Sequence, residues 1–442
     1  MSKDQHMKED NHHIGTALTL ARAAGPLGGI VSMPGDKSLA HRAALFAALA
    51  EGESQVANFP DSGVTRAMRG ALASLGVESS LEAGVLRVKG NGFRPFPNTG
   101  AVAYCGNSAT TIRLLAGAVA GTMSSAVLDG SEGLRRRPMG RIAEPLRAMG
   151  ASVETTDGNA PLRISPAKLR DIDYDLPMAS AQVLSCLQIA ALGADGESRF
   201  SVPGPVRDHT VRMLSAMGAN VEDDGRQSIV RPLSAPLRPL RGTLPGDISS
   251  AAFVFAAAAI VPGSRVTVKG IGVNPARTGF LDVLSRMGAK VSYALEREEM
   301  GEPVADVTLE AAPLKGVEVR GDLVVRAIDE FPALAAVASF AEGDTVVREA
   351  GELRLKETDR IDAIVRQFSR LGAQVEEFPD GFRIRGGAVS GGTAAANGDH
   401  RLAMSLALTG LRADVSVEGA EILGESFPGF AAMIDSLRAA AE

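Results

Sequence analysis

A short phrase recurs along this chain at nearly even spacing, and it limits the possible folds more than any other feature. A large apolar residue, Gly, and then Ala or Val stand together five times, at Gly76, Gly150, Gly218, Gly288 and Gly372. Apolar residues upstream of each glycine step by three and four, which predicts one face of an amphipathic helix. The glycine then lies where a helix C-terminus favours the left-handed conformation. This period predicts a fold assembled from copies of one unit.

Two other phrases precede each predicted amphipathic helix. One is a turn, usually with Gly, followed by a β-rich stretch such as 196–200. The other is an Ala-rich, almost uncharged segment, which predicts a helix buried on all sides. The six segments of this kind are 39–50, 108–119, 180–192, 249–260, 332–340 and 402–411.

Six units, each with a buried helix, a strand, an outer helix and a further strand, predict two domains of three units. The last unit ends after its outer helix, predicted over 430–441. The hinge is predicted near Leu244-Pro245-Gly246. Chance recurrence in an ordinary α/β protein is the alternative, but chance would have to place three phrases in the same order each time.

Composition excludes several classes of protein. The 442 residues carry a net charge of −6, which argues against nucleic acid as a partner. The two cysteines, Cys105 and Cys186, form neither a disulfide framework nor a zinc-site spacing, and they fit a reducing compartment, the cytoplasm. The longest apolar run, 251–261, is too short to span a bilayer.

Residues 1–14 are predicted to be a disordered tail, and the histidines in it lack the spacing of metal ligands. The chain contains no Trp, which favours a small charged ligand over one that stacks on aromatic side chains.

Charged and small polar residues collect where the buried helices begin. They are Asp36-Lys37-Ser38, Gly106-Asn107-Ser108, Ala179-Ser180-Ala181-Gln182, Gly246-Asp247-Ile248-Ser249, Asp329-Glu330-Phe331-Pro332 and Asp399-His400-Arg401. Ser, Asn and Asp cap helices, so several of these residues need no further role. Converging helix N-termini would, however, form an anion site, and basic residues stand close to them in the sequence. These are Lys37, Arg42, Arg135-Arg136-Arg137, Arg207, Lys356, Arg360 and Arg401.

Two carboxylates, Asp329 and Glu357, lie nearest these cations in the motifs. They are candidates for proton transfer, although partners in salt bridges are the default interpretation. The segment 34–38 lacks the spacing of a nucleotide-binding P-loop, and no dinucleotide fingerprint follows a predicted strand.

The motifs, taken together from about Ile30 to about Met433, resemble those of the 5-enolpyruvylshikimate-3-phosphate (EPSP) synthase family. They occur in that family's order and are 34–42, 107–113, 137–139, 179–182, 207–209, 245–250, 329–332, 353–360 and 399–401. The resemblance implies an α/β (α+β) fold of two pseudo-symmetric domains, each with three βαβαββ units, with buried helices and outer sheets. On this basis the domains are 34–244 and 15–33 plus 245–442, with hinges near 33 and 245.

The resemblance also implies an activity. The family transfers the enolpyruvyl group of phosphoenolpyruvate to the 5-hydroxyl of shikimate 3-phosphate by addition and elimination, with no cofactor and no metal. The implied ligands of shikimate 3-phosphate are Lys37, Ser38, Arg42, Ser180, Gln182, Arg207, Asp329 and Lys356. The implied ligands of phosphoenolpyruvate are Lys37, Ala109, Arg137, Gln182, Glu357, Arg360 and Arg401. The implied catalytic groups are Asp329, Glu357 and Lys37, and the protein is expected to be a monomer without nucleic-acid or membrane partners.

The sequence departs from many family members at a few positions. Ala109 stands where many have Gly, which resembles the glyphosate-tolerant branch. Ala40 and Ala181 replace serines found in some members, and Glu425 replaces a Lys and is given no role. The alternatives are a transferase acting on UDP-N-acetylglucosamine, which usually has a reactive Cys on a mobile loop, and a non-catalytic sensor of phosphate ligands.

Overall fold

The computed structural model describes residues 17–387 and 389–439, apart from the side chains of Glu425 and Ala439. The predicted tail 1–14, with its histidines, lies outside the described residues, as do Ala388 and the last residues of the outer helix predicted over 430–441.

The buried apolar residues form two separate cores. One core runs from Leu39 to Leu244, and we call this part of the molecule the first lobe. The other core combines Leu20 to Met33 with Ile248 to Leu437, and we call it the second lobe. The N-terminal segment therefore packs with the second half of the chain.

The secondary structure follows the same division. Two N-terminal strands, β1 (Ala17–Leu18) and β2 (Gly28–Ser32), precede the first lobe. The first lobe contains α1 (Lys37–Leu49), β3 (Glu51–Ala57), α2 (Gly63–Ser74), β4 (Glu78–Glu82), β5 (Val85–Asn91), β6 (Ala101–Tyr104), α3 (Ala109–Gly121), β7 (Ala126–Asp129), α4 (Glu132–Arg135), α5 (Gly140–Ala148), β8 (Ser152–Thr156), β9 (Asn159–Ser165), β10 (Asp173–Asp175), α6 (Ala181–Ala191), β11 (Ser198–Ser201), α7 (His209–Ala216), β12 (Val221–Asp223), β13 (Gln227–Val230) and β14 (Arg241–Thr243).

The second lobe contains α8 (Ile248–Ile260), β15 (Arg265–Gly272), α9 (Gly279–Met287), β16 (Lys290–Glu299), β17 (Glu302–Glu310), β18 (Glu318–Val319), α10 (Asp322–Arg326), α11 (Phe331–Ala338), β19 (Asp344–Val347), α12 (Arg360–Arg370), β20 (Gln374–Phe378), β21 (Gly381–Arg385), β22 (Gly392–Ala395), α13 (His400–Thr409), β23 (Val415–Glu418) and α14 (Phe430–Ala439). Short 3₁₀ helices cover Gly351–Leu355 and Ala420–Glu425.

Within the described residues, the strands form six small sheets, five of four strands and one of three. The order β6-β7-β9-β8 illustrates the unit: β6 and β7 are parallel, joined by the buried helix α3, and the hairpin β8–β9 adds antiparallel to β7. The predicted fold class is confirmed. The residue pattern alone was incomplete, however, because it predicted one strand after each capping glycine where five units have a hairpin.

Three strands complete units that lie far from them in the sequence. β14 pairs parallel with β3, β2 pairs parallel with β15, and β1 pairs antiparallel with β23. The last unit has no hairpin of its own among the described residues, and β1 occupies the third position of its sheet.

The two helix types are where the repeats predict them. The buried helices are α1, α3 and α6 in the first lobe and α8, α11 and α13 in the second, and every residue of α8 is buried. All five predicted capping glycines have φ between +86° and +114°, which an L side chain rarely adopts. The buried helices also pack very closely: a Cβ on Gly117 of α3 would lie 2.2 Å from the Cys186 carbonyl oxygen of α6.

The chain passes twice between the lobes, and the two passages are hydrogen-bonded to each other. Asp36 N donates to Pro245 O and Asp247 N donates to Pro34 O, both at 2.9 Å. Gly35 and Gly246 form an antiparallel bridge between them. The starts of α1 and α8 are therefore neighbours, although more than 200 residues separate them. No described helix is long and apolar enough to cross a membrane.

Candidate active site

Side chains connect the starts of the three buried helices of the first lobe. His41 Nε2, on α1, lies 3.2 Å from the hydroxyl of Ser108, the N-cap of α3. Gln182 Nε2, on α6, donates to Thr110 Oγ1 at 2.9 Å. Three helix N-termini with unpaired N–H groups are thereby gathered together, which favours a negatively charged ligand beside them.

Cations lie beside these helix starts. Arg113, on α3, donates to Gln182 Oε1 and, at 3.3 Å, to Pro138 O. Burial, together with the charges of Arg137 and Arg141, lowers the pKa of Arg113 to about 10. Neighbouring positive charges make the charged form of Arg113 less favourable, and an anion that binds beside them reverses this effect. Ala109, the first residue of α3, is buried at the same place.

Asp329 is where charged groups of the two lobes meet. Its Oδ2 accepts from Arg207 Nη2 of the first lobe at 2.7 Å, and its Oδ1 lies 3.7 Å from Arg360 Nη1. Arg401 Nη1 donates to its backbone oxygen at 3.1 Å. Burial alone would raise the pKa of Asp329, but the surrounding cations, Lys356 included, outweigh burial and hold the pKa well below its usual range.

Arg360 is the largest fully buried side chain of the described residues. Nε donates to Asp399 Oδ2 at 2.6 Å and Nη2 donates to Glu357 Oε2 at 2.8 Å. Nη1 is buried and has no hydrogen-bond partner in the described part of the chain. A buried donor without a partner is costly, so this nitrogen is available to an acceptor that the protein does not supply.

Lys37, the first residue of α1, lies among charges from three other helix starts. Burial lowers the pKa of its ammonium, the carboxylates of Asp247, Asp36 and Asp329 oppose that effect, and Arg401 adds to it. A lysine with a lowered pKa gives up a proton more readily than an exposed one. His400, which begins α13, is half-buried nearby, and its Nε2 is buried and unpaired among the described residues. Burial and the adjacent cations lower its pKa well below the usual value.

Several predicted residues serve helix capping. The side chains of Asp36, Ser108, Ser180, Asp247 and Asp399 each accept from a backbone N–H in the first turn of the helix they precede. The capping interpretation is therefore confirmed for these five residues.

The structure does not bring all the predicted cations to one point. Arg42 is buried, and its nitrogens donate to Thr210, Ser185 and the Ser38 carbonyl, so it fastens α1 to α6 and α7. Lys356 pairs with Glu352 at 2.9 Å. Of the 135–137 run, Arg135 pairs with Asp129 on the surface and Arg136 is exposed, which leaves Arg137 beside Arg113.

A group of buried residues around Arg277 was missed by sequence reasoning. Arg277, His209, Asn274 and Glu302 are each at most 3% exposed and contact one another where the lobes join. The only signal in the sequence is the polar turn Asn274-Pro-Ala-Arg277 just before α9.

Neither cysteine has the character of a nucleophile. Cys105 and Cys186 are both buried, and burial raises the pKa of each thiol to about 12. A nucleophilic cysteine requires the opposite shift. In the part of the chain that the structure describes, no group of three or more His, Cys, Asp or Glu side chains is placed to hold a metal ion.

Comparisons with known proteins agree with one another. The family model described as EPSP synthase (3-phosphoshikimate 1-carboxyvinyltransferase) matches residues 21–434. A 3-phosphoshikimate 1-carboxyvinyltransferase of Syntrophomonas wolfei is 42% identical over 94% of this chain and 98% of its own length. One of Acidithiobacillus ferrooxidans is 44% identical over 94% of this chain and 96% of its own.

Solved structures give the same result. An EPSP synthase from Acinetobacter baumannii superposes with a TM-score of 0.88 at 37% identity, covering 95% of this chain and 98% of its own. The enolpyruvyl transferase NikO from Streptomyces tendae, at 19% identity and a TM-score of 0.76 over 95% of this chain and 97% of its own, shares the fold. With its family motifs, its six-unit fold and relatives above 40% identity over nearly their whole length, the chain belongs to the EPSP synthase family.

Proposed function

We propose how the residues of this site carry out the reaction of the family, in which the enolpyruvyl group of phosphoenolpyruvate moves to the 5-hydroxyl of shikimate 3-phosphate and phosphate leaves. The chain is a 3-phosphoshikimate 1-carboxyvinyltransferase. The observation that carries the assignment of roles is the buried, unpartnered Nη1 of Arg360, 3.7 Å from the ionised Asp329. An anion-binding donor and a proton acceptor thus stand side by side.

Shikimate 3-phosphate binds mainly to the first lobe in this proposal. Its ligands are Lys37, Ser38, Arg42, Ser180, Gln182, Arg207, Asp329 and Lys356. The helix starts and Arg207 neutralise the phosphate, and Gln182, held by Arg113 and Thr110, orients the ring. Arg42 acts chiefly by fixing α1 against α6, since its nitrogens already have protein acceptors.

Phosphoenolpyruvate binds between the lobes. Its ligands are Lys37, Ala109, Arg137, Gln182, Glu357, Arg360 and Arg401. Arg360 and Arg401 take the carboxylate on the second-lobe side, and Lys37 and Arg137 take the phosphate. Holding the two reactants together in one orientation lowers the entropic part of the barrier.

The proton movements are assigned as follows. Asp329 accepts the proton of the 5-hydroxyl as that oxygen attacks C2 of phosphoenolpyruvate, and Glu357 or Lys37 supplies the proton that C3 gains. The resulting tetrahedral intermediate then loses phosphate from C2 and returns one proton from C3 to the group that supplied it, which restores the double bond. Lys37 is suited to protonate the departing phosphate because burial has lowered its pKa.

The Arg207–Asp329 ion pair gives the free enzyme a further property. While Arg207 stays 2.7 Å from the carboxylate, Asp329 is a weak base because its pKa is held low. An arriving phosphate group competes for Arg207 and thereby strengthens Asp329 as a base. Substrate binding and activation of the base are thus coupled in this proposal.

The two lobes are proposed to act as domains, 34–244 and 15–33 plus 245–442, that close over the substrates about hinges near 33 and 245. The separate cores and the paired crossings at Gly35 and Gly246 support this division. Small-angle scattering should show compaction when shikimate 3-phosphate is added, and an unchanged profile would refute closure.

Tolerance to glyphosate is proposed from Ala109. Ala109 is buried at the start of α3 and directly precedes Thr110, which accepts a hydrogen bond from Gln182. An inhibitor slightly longer than phosphoenolpyruvate would meet that methyl group, whereas phosphoenolpyruvate itself would not.

A monomer in the cytoplasm is also proposed. All proposed site residues come from one chain, and the two free cysteines fit a reducing compartment. Light scattering at micromolar concentration and cell fractionation test the two statements.

The roles are tested by phosphate release with both substrates and EDTA present. Asp329→Asn should lower kcat about 10²- to 10⁴-fold, the usual contribution of a general base. The matched control is Asp322→Asn, an exposed carboxylate seven residues upstream, which should keep wild-type kcat. An Asp329→Asn enzyme within threefold of wild type would exclude Asp329 as the base.

A further inference from the structure

Arg277 is a buried arginine whose hydrogen bonds reach residues of both lobes. It belongs to the turn between β15 and α9 in the second lobe, and it is 3% exposed. Its Nη1 lies 3.4 Å from Asp36 Oδ2 and 3.3 Å from His209 Nε2, both of the first lobe. Its Nη2 donates to Ser249 Oγ at 2.8 Å in its own lobe. One guanidinium therefore joins two lobes at the point where the chain crosses between them.

Two contacts of Arg277, with Asp36 and Ser249, lie at the starts of the buried helices α1 and α8, whereas His209 begins the outer helix α7. Asp36 is the N-cap of α1 and directly precedes Lys37. Ser249 lies in the first turn of α8, and its hydroxyl donates to Glu330. Glu330 directly precedes α11 and follows Asp329, and its Oε1 lies 3.8 Å from Arg401. Arg277 thus reaches Lys37 through Asp36, its neighbour in the sequence. Through Ser249 and Glu330 it reaches Asp329, which precedes Glu330, and Arg401, which lies near the Glu330 carboxylate.

A second set of contacts, which we call the brace, joins the two lobes beside Arg277 and consists of Asp208, His209, Asn274 and Glu302. His209 Nδ1 lies 2.8 Å from Glu302 Oε1, and Asn274 Nδ2 donates both to Glu302 at 3.1 Å and to Asp208 at 2.7 Å. Asp208 and His209 begin α7 in the first lobe, whereas Asn274 and Glu302 belong to the second. His209 in turn contacts Arg277. The brace holds the Arg277 side chain in place, as its burial requires.

We propose that Arg277 is a positioning residue: by holding Asp36 of the first lobe against the start of α8, it directs Lys37 toward Asp329 and Arg401. The proposal rests on the reaction and the roles proposed above. Arg277 is not among the proposed substrate ligands: Nη1 faces Asp36 and His209, Nη2 donates to Ser249, and Nε is buried with no hydrogen-bond partner among the described residues. Its planar fork reaches these groups at once, which a single ammonium does not do. An error of about 1 Å in the placement of a reacting group can cost about 100-fold in rate.

The test uses the full chain and steady-state phosphate release. Arg277→Lys keeps the charge and removes the fork. Asp36→Asn removes the charge that faces Arg277 but keeps an acceptor for the Leu39 N–H, so the cap of α1 is preserved. Arg286→Lys, the same substitution at an exposed position of α9, is the matched control. Urea unfolding of each variant separates loss of folded protein from loss of rate.

Arg277→Lys should lower kcat about 10- to 100-fold while KM for both substrates stays within about threefold. Asp36→Asn should also lower kcat. The double variant should be no slower than the slower single variant, because both substitutions disrupt the same contact between Arg277 and Asp36. Arg286→Lys should match wild type.

Three results would overturn the proposal: a kcat of Arg277→Lys within twofold of wild type, a rise in KM without a fall in kcat, or fully additive losses in the double variant. If Arg277→Lys does not fold, Asp36→Asn alone decides by the same limits on kcat and KM. Absence of phosphate release by the wild-type chain would instead refute the activity itself, and the positioning role would fall with it.

Discussion

Replacement of Arg360 by Met should destabilise the protein far more than the same change six residues later. Arg360 is 1% exposed and lies 2.6 Å from Asp399, which is completely buried. Met fills much of the space but leaves the Asp399 carboxylate without its counter-charge. Removal of one partner of a buried ion pair costs about 3–5 kcal/mol in the free energy of unfolding.

Arg366 offers a matched control on the same helix, α12. It pairs with Asp362 at 2.7 Å across one helical turn, and its side chain is 69% exposed. Arg366→Met should cost only about 0.3–0.5 kcal/mol, the worth of an exposed pair at that spacing. Urea unfolding at pH 7.5, followed by circular dichroism, measures both. For a lobe of this size the buried change corresponds to about 6–20 °C in midpoint temperature.

The origin of the loss can be tested with a second substitution. Asp399 Oδ1 accepts from Arg401 N at 2.8 Å and caps α13, so Asp399→Asn removes the charge and keeps an acceptor for the cap. The double variant Arg360→Met/Asp399→Asn should therefore be more stable than Arg360→Met alone. The reasoning would be refuted if the two Arg→Met variants lost similar stability, or if the double variant recovered nothing.

Three further predictions concern Ala109, Glu330 and Asp329. Ala109→Gly should make phosphate release at least several-fold more sensitive to glyphosate with little change in KM for phosphoenolpyruvate, and equal inhibition of both enzymes would exclude a steric role for the methyl group. Burial and Asp329 raise the pKa of Glu330. The contribution of Glu330 to stability is therefore complete below the ordinary Glu pKa of about 4.3 and is lost as the pH rises through the pKa of the folded protein. Urea titrations of Glu330→Gln should show it gaining stability relative to wild type between pH 4 and pH 8, and a pH-independent difference would contradict this. The lowered pKa of Asp329 has the opposite effect on stability: its contribution is present above about pH 3.9 and is lost as the pH falls through the pKa of the folded protein. The difference in free energy of unfolding between Asp329→Asn and wild type should therefore become smaller in acid. A difference that grows below pH 4 would contradict this.

Sequence reasoning reached those features that depend on nearby residues. The capping glycines, the buried helices and the N-caps each follow from a pattern within one or two helical turns, and the structure has them where the pattern predicts. The second strands of the hairpins were missed because each unit was defined by its helices and its capping glycine. An alternating stretch such as β9, which follows the turn at Gly158, would have revealed them.

Contacts between distant segments could not be found in this way. Arg277 and Asp36 are 241 residues apart, and Arg207 and Asp329 are 122 apart. Nothing in the local pattern around Asn274 to Arg277 distinguishes a buried arginine from an exposed one in a turn. The family motifs named Arg207 and Asp329 individually, but only the fold brings them together across the lobes.

Capping and ligand binding, which compete as interpretations of the sequence, are one arrangement in the structure. Asp399 caps α13 with one oxygen and holds Arg360 with the other, so the helix start and the orphaned Nη1 of Arg360 are fixed by a single carboxylate. Asp36 likewise caps α1 with Oδ1 and faces Arg277 with Oδ2. In these two aspartates the oxygen that does not cap the helix is directed toward a cation from a neighbouring element. The six-unit fold repeats these buried helices and brings several of their N-termini together. The same residues that cap the helix N-termini therefore also orient cations of the proposed substrate site.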